Sequence, residues 1–187
     1  DGSSTRQVLP FTEDYLGRMS ESDREFFSLI KEALDDERIG RKFFSLLLPG
    51  IQERKGKKKP EDIVAFPKSG LFCDASGYKI RPHKDVRTKL VTTQMYLPTD
   101  EKQESFGTSL YTRSFKGRIN RELNKISKVQ RPEFEHLETF SFLPNSGYAF
   151  VVGEKSWHGR EEIPEGMGNR YSLMNIYFED NEVPFYD

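Results

Sequence analysis

The chain has 187 residues, 35% of them hydrophobic and 32% charged, with a formal net charge of −1. That length fits one domain with a sizeable core, and the composition is that of a folded chain, not a disordered one. A near-neutral balance selects neither nucleic acid nor a membrane surface, and no apolar stretch approaches the roughly 20 residues of a membrane span.

Cys73 is the only cysteine, so no disulfide can form within the chain. That favours a reducing compartment, and no signal-peptide pattern opens the sequence, so a cytoplasmic location is expected. In the run Leu71-Phe72-Cys73, the thiol reads as a small core group.

Residues 1–60 read as a helical N-terminal layer. Within 20–48, Ser20 or Ser22 offers a cap, and Phe26, Ile30, Ala33 and Leu34 recur at helical spacing. Ile39, Phe43, Leu46 and Leu47 continue the pattern, and Pro49-Gly50 predicts its stop. Residues 52–61 form a basic, Gly- and Pro-punctuated connection. From there the texture becomes strand-like, with candidates at 62–66, 71–74, 78–81, 89–97, 109–112, 138–142, 148–152 and 170–178. Turn chemistry separates them, including Pro67-Lys68-Ser69-Gly70 and Pro144-Asn145-Ser146-Gly147. About eight short strands of this kind over 61–187 predict a sandwich or a double-sheet jelly roll. Residues 113–131 interrupt it: Ile119, Leu123 and Ile126 suggest a short helix, and seven basic residues against Glu122 give a local charge of +6. A solvated face explains that charge; a guide for an anionic substrate is the sharper alternative.

The chemistry concentrates in two places. His83 and Asp85 are spaced i, i+2, which in an extended segment directs both to one side. With His158 they make two imidazoles and one carboxylate, the facial set that holds non-haem Fe(II) and leaves positions open. Beyond them, Arg170 and Ser172 share a strand face. An arginine there is costly unless it meets a carboxylate, either a ligand's or an internal acid such as Glu161. His136 has no partner at matching spacing and reads as non-ligating.

These residues resemble the Fe(II)- and 2-oxoglutarate-dependent oxygenase superfamily, in its prolyl-hydroxylase-like branch. The pattern H-x-D, a distal His, then R-x-S is similar to that family's motif set. The segments Gly77 to Asp85, Lys89 to Pro98, Gly107 to Tyr111 and Pro144 to His158 resemble its context. The resemblance spans about residues 70 to 178. It implies a mainly β fold with N-terminal helices, a double-stranded β-helix of the cupin-like kind, over 1–187 as one oxygenase domain. It implies iron on His83, Asp85 and His158, with 2-oxoglutarate as co-substrate and its distal carboxylate on Arg170, assisted by Ser172. Tyr96 and Tyr78 stand where a phenol contacts the co-substrate or lines the pocket. If Tyr96 faces inward, Gln94 and Thr92 do too. For these residues ordinary strand packing remains open.

Asp85 occupies the ligand position that halogenating relatives replace with a small residue, so the resemblance implies hydroxylation, with O₂ consumed and succinate and CO₂ released. The compact chain suggests a small-molecule substrate over a protein side chain. Lys79, Arg81, Arg87 and Lys89 are compatible with an anionic one. Oligomeric state is not legible. Two alternatives stand beside this reading: a cupin-type metal dioxygenase that uses no 2-oxoglutarate, and a non-enzymatic jelly-roll binding module.

Overall fold

The computed structural model describes residues 5–185. Strand β1 (Arg6–Pro10) comes first, in a stretch expected to be wholly helical. Helices α1 (Glu13–Gly17), α2 (Glu21–Asp35) and α3 (Glu37–Leu46) follow. Each begins at a side-chain oxygen that accepts an otherwise unpaired backbone N–H: Thr12, Ser20 and Asp36 in turn. Helix α4 (Leu48–Lys55) contains Pro49 and Gly50, which the sequence marked as a stop. Pro49 falls in its first turn, where the missing N–H would have had no helical partner.

The remaining strands are β2 (Phe66–Asp74), β3 (Ile80–His83), β4 (Lys89–Leu97), β5 (Ser109–Thr112), β6 (Glu135–Thr139), β7 (Gly147–Val151), β8 (His158–Arg160) and β9 (Arg170–Phe178), with α5 (Phe115–Ile126) between β5 and β6. They form two antiparallel sheets, ordered β1-β2-β9-β4-β7 and β3-β8-β5-β6. From β2 onward the chain crosses between sheets at almost every connection, staying in one only from β5 to β6. That alternation winds the strands into a double-stranded β-helix, the jelly roll.

Other segments also differ from their expected form. Residues 62–66, expected as a strand, are a turn and loop that reach β2 only at Phe66. Pro67 to Gly70, expected as a turn, lies inside β2, because this strand pairs with β9 on one side and β1 on the other. Gly70 permits the β1 contact: a Cβ there would stand 2.8 Å from the Leu9 carbonyl oxygen and 2.6 Å from the Phe185 ring. In α5 the helix forms, but Ile119, Leu123 and Ile126 are exposed. Its buried positions are Gly117 and Asn120, whose amide donates to the Pro132 carbonyl at 2.6 Å.

Side chains alternate along the larger sheet. Leu71, Met95 and Leu173 face outward and pack under α1 and α2 with Leu16 and Leu34, while Phe44 and Ile51 cover Val91 and Tyr177. Each fully buried side chain of this type contributes roughly 1.5–3 kcal/mol. Arg54 of α4 donates to the carbonyls of Lys89 and Val152, both at 2.6 Å, and so fixes the start of β4. No helix among the described residues is long and apolar enough to cross a membrane. The inward face of the same sheet carries Asp74, Thr92, Gln94, Tyr96, Arg170 and Ser172.

Candidate metal centre and anion pocket

His83 ends β3 and His158 begins β8, and the two residues are directly paired across the smaller sheet. Their ring centroids are 4.3 Å apart. Asp85 follows two residues after His83, and the ligand atoms of all three residues lie within 4.8 Å of one another. Both imidazoles are oriented by the backbone: His83 Nδ1 lies 3.0 Å from the Arg81 carbonyl oxygen, and His158 Nδ1 lies 3.0 Å from that of Ser156. A carbonyl can only accept, so Nδ1 carries the hydrogen and Nε2 keeps the lone pair that a metal needs.

Asp85 is held from behind. Lys89 donates to Oδ1 at 2.9 Å and Thr92 to Oδ2 at 2.7 Å. Burial by itself raises the carboxyl's pKa, but the Lys89 charge, His158 and these two hydrogen bonds outweigh it, and the group is held below its ordinary value. His158 is shifted the other way from a free histidine's charged form: burial and the neighbouring His83 lower its pKa, against the Ser156 carbonyl and Asp85. The set is two imidazoles and one carboxylate, a donor combination suited to Fe(II) and related divalent ions. A single ion about 2.1 Å from each ligand atom would draw the three slightly closer. Phe150 packs on His158 with centroids 4.7 Å apart, an apolar wall against that ligand. His136 lies apart, on β6, with Nε2 against the Thr139 hydroxyl at 2.8 Å.

The triad opens onto a cavity of about 230 Å³ lined by Tyr78, Gln94, Tyr148, Arg160, Arg170 and Met174 among others. A larger hollow of about 510 Å³, between β1, α1 and the start of β2, touches none of the three candidate ligands. Arg170 is 2% exposed and donates through Nε to the Phe106 carbonyl at 2.7 Å, through Nη1 to Asp74 at 2.9 Å and through Nη2 to Gln94 at 3.3 Å. The internal acid that meets it is therefore Asp74, not Glu161, whose carboxylate accepts the Tyr111 hydroxyl. Asp74 also receives two bonds from Arg6, at 2.6 and 3.0 Å.

Gln94, Tyr96 and Ser172 do share the inward face. Gln94 donates to the Ser172 hydroxyl at 2.7 Å, and the Tyr96 hydroxyl accepts the Thr108 N–H at 3.0 Å. Tyr96 and Ser172 stand behind the cavity wall, while Tyr78 and Gln94 form part of it. Sequence reasoning missed Lys89 and Thr92 as partners of Asp85, and it missed Arg160. A usable signal existed for the last: Arg160 is two residues after His158, and in a strand it must share that ligand's face.

No family model matches the sequence, and no curated protein matches it. Among solved structures, the chain is similar to a prolyl-4-hydroxylase of Pseudomonas putida: TM-score 0.47, 11% identity, 94% of this chain and 72% of that one. It is also similar to a 2OG-Fe(II) oxygenase family oxidoreductase of Burkholderia pseudomallei: TM-score 0.46, 13% identity, 82% and 58%. A third is the dioxygenase for auxin oxidation of Arabidopsis thaliana, in complex with 2-oxoglutarate: TM-score 0.48, 13% identity, 96% and 65%. The chain spans less than two thirds of the length of the second and third of these proteins. The jelly roll itself rests on the sheet order and register described above.

Proposed function

We propose that this chain is a non-haem Fe(II)- and 2-oxoglutarate-dependent dioxygenase that hydroxylates a small molecule. The observation that supports it most is the convergence of His83, Asp85 and His158, with both Nδ1 atoms committed to carbonyls. Iron(II) held there would supply O₂ activation, with one oxygen atom entering a substrate C–H bond and the other entering succinate as 2-oxoglutarate loses CO₂.

The chain's own residues do the rest. Lys89 and Thr92 fix the Asp85 carboxylate in its ionised form at the ligand position. Ser156 and Arg81 lend their carbonyls to orient the imidazoles. Phe150 and Met174 border the triad with apolar surface and limit water beside it. Arg170 lines the same cavity and supplies positive charge for a carboxylate of the co-substrate. A cytoplasmic location belongs to the same reading, supported by the single cysteine.

The test is anaerobic reconstitution with Fe(II), followed by metal analysis and measurement of succinate formed on adding 2-oxoglutarate and O₂. About one iron per chain and 2-oxoglutarate-dependent succinate are expected, both lost in His83→Ala and His158→Ala. Oxygen consumption that ignores 2-oxoglutarate would move the protein to the cupin-type alternative. Equal metal content in wild type and His83→Ala would end the metal reading altogether.

A further inference from the structure

Three arginines approach one end of the cavity, and they are not equivalent. Arg6 and Arg170 divide the Asp74 carboxylate between them, taking both of its oxygens. Arg160 is 5% exposed, and its Nε and Nη2 are sealed from water with no hydrogen-bond partner among the described residues. The nearby acids are spoken for, Asp74 by the two other arginines and Glu161 by Tyr111. A guanidinium in this state is expensive, because its donors have lost water and gained nothing in exchange.

Its position says what would repay that cost. Arg160 is two strand residues from His158, a Cα separation of about 6.6 Å along the same face. Both residues line the cavity that holds the triad. Arg160 and Arg170 converge on Phe106 from the two sheets: Arg160 lies over its ring, 5.1 Å from the centroid, and Arg170 Nε bonds its carbonyl. Idle guanidinium donors beside a second guanidinium, at the wall of one cavity, form a receptor for a planar oxyanion.

We propose that Arg160 is a carboxylate-binding residue of the pocket, which with Arg170 forms a two-arginine receptor one side chain's reach from the metal position. Arg170 alone is largely consumed by Asp74, Phe106 and Gln94, so the unpartnered donors belong mainly to Arg160. The assignment of that carboxylate to 2-oxoglutarate rests on the oxygenase reading; the receptor itself does not.

The experiment compares wild type with Arg160→Met and Arg160→Lys by calorimetric titration. With Mn(II)-loaded protein, 2-oxoglutarate should bind Arg160→Met about 10- to 100-fold more weakly, while Mn(II) affinity stays unchanged. With metal-free protein, glutarate, which has both carboxylates but no keto group, should show the same loss. Arg160→Lys keeps the charge without the fork and should fall between. Because the arginine is unpaired, Arg160→Met should also raise Tm, by about 2–4 °C, which a merely structural arginine would not do. Failure of wild type to bind Mn(II) would sink the oxygenase reading and leave the glutarate arm to decide the receptor. Glutarate binding that is absent from wild type, or equal in wild type and Arg160→Met, overturns the proposal.

Discussion

Asp74 and Arg170 stand directly opposite each other across β2 and β9, joined at 2.9 Å, with exposures of 0% and 2%. The pair is lopsided, because Asp74 has a second cation in Arg6 whereas Arg170 has no second carboxylate among the described residues. Removing the acid deprives the buried Arg170 of its carboxylate; removing Arg170 leaves Asp74 still held by the half-buried Arg6. Asp74→Asn should therefore cost about 3–5 kcal/mol in chemical denaturation, the range for an uncompensated buried charge. Arg170→Met should cost clearly less. Equal costs for the two would mean that Arg6 does not compensate Asp74.

A backbone contact beside this pair sets a second expectation. Phe106, whose carbonyl takes Arg170 Nε, is followed by Gly107, where a Cβ would fall 1.4 Å from the Phe140 carbonyl oxygen. Its φ of −69° suits any residue, so the requirement there is space alone. Gly107→Ala should force the lead-in to β5 away from the end of β6 and lower Tm by about 10 °C or more, corresponding to roughly 3 kcal/mol or more. Gly56 is the contrast: its φ of 77° with ψ of −173° is a conformation essentially confined to glycine, but its surroundings are open, so Gly56→Ala should cost about 1–3 kcal/mol from backbone strain alone. Thermal melts of the two variants check both halves.

The parts of this molecule that were legible in the sequence are those written in local pattern. Strands 89–97, 109–112 and 170–178 carry their own alternation between turn residues, and their bounds coincide with β4, β5 and β9. His83, Asp85 and His158 stand out because histidine is scarce here and the first two share a strand-like spacing. What was not legible depends on partners far along the chain. β8 is three residues long, too short to show a period, and exists because β3 and β5 flank it. β1 ends in proline and becomes a strand only against β2. The Asp74–Arg170 pair spans 96 residues and follows from register, which no spacing rule reveals.

The Asp85 supports offer a test of the candidate metal site that leaves its proposed ligands untouched. Thr92 is 1% exposed and donates to Asp85 at 2.7 Å; valine has nearly the same shape without the donor. Thr92→Val should fold normally and weaken divalent-metal affinity about 10- to 100-fold, the usual effect of losing a group that orients a ligand. Lys89→Met should act on the same carboxylate through its charge as well as its hydrogen bond. Competition of each variant with a chelator of known affinity measures both. Unchanged affinity in Thr92→Val would detach Asp85 from any ion bound there.

Acid should act on this site in a defined direction. The folded-state pKa of His158 is lowered by burial and by His83, while the unfolded chain keeps a histidine near 6.5. Below that value the unfolded state takes up a proton that the folded state resists, so this contribution to stability is complete above about pH 6.5 and is lost as pH falls further. Asp85, also lowered, has the same sign in a separate window below its ordinary value of 3.8. A metal on Nε2 of His158 excludes the proton outright, so metal-loaded protein should resist acid to a lower pH than metal-free protein. Denaturation midpoints followed from pH 8 to pH 5 should fall more steeply without metal, and replacing His158 by glutamine should flatten that slope. A metal-free midpoint indifferent to pH across this range would show that His158 titrates as freely in the folded chain as in the unfolded one.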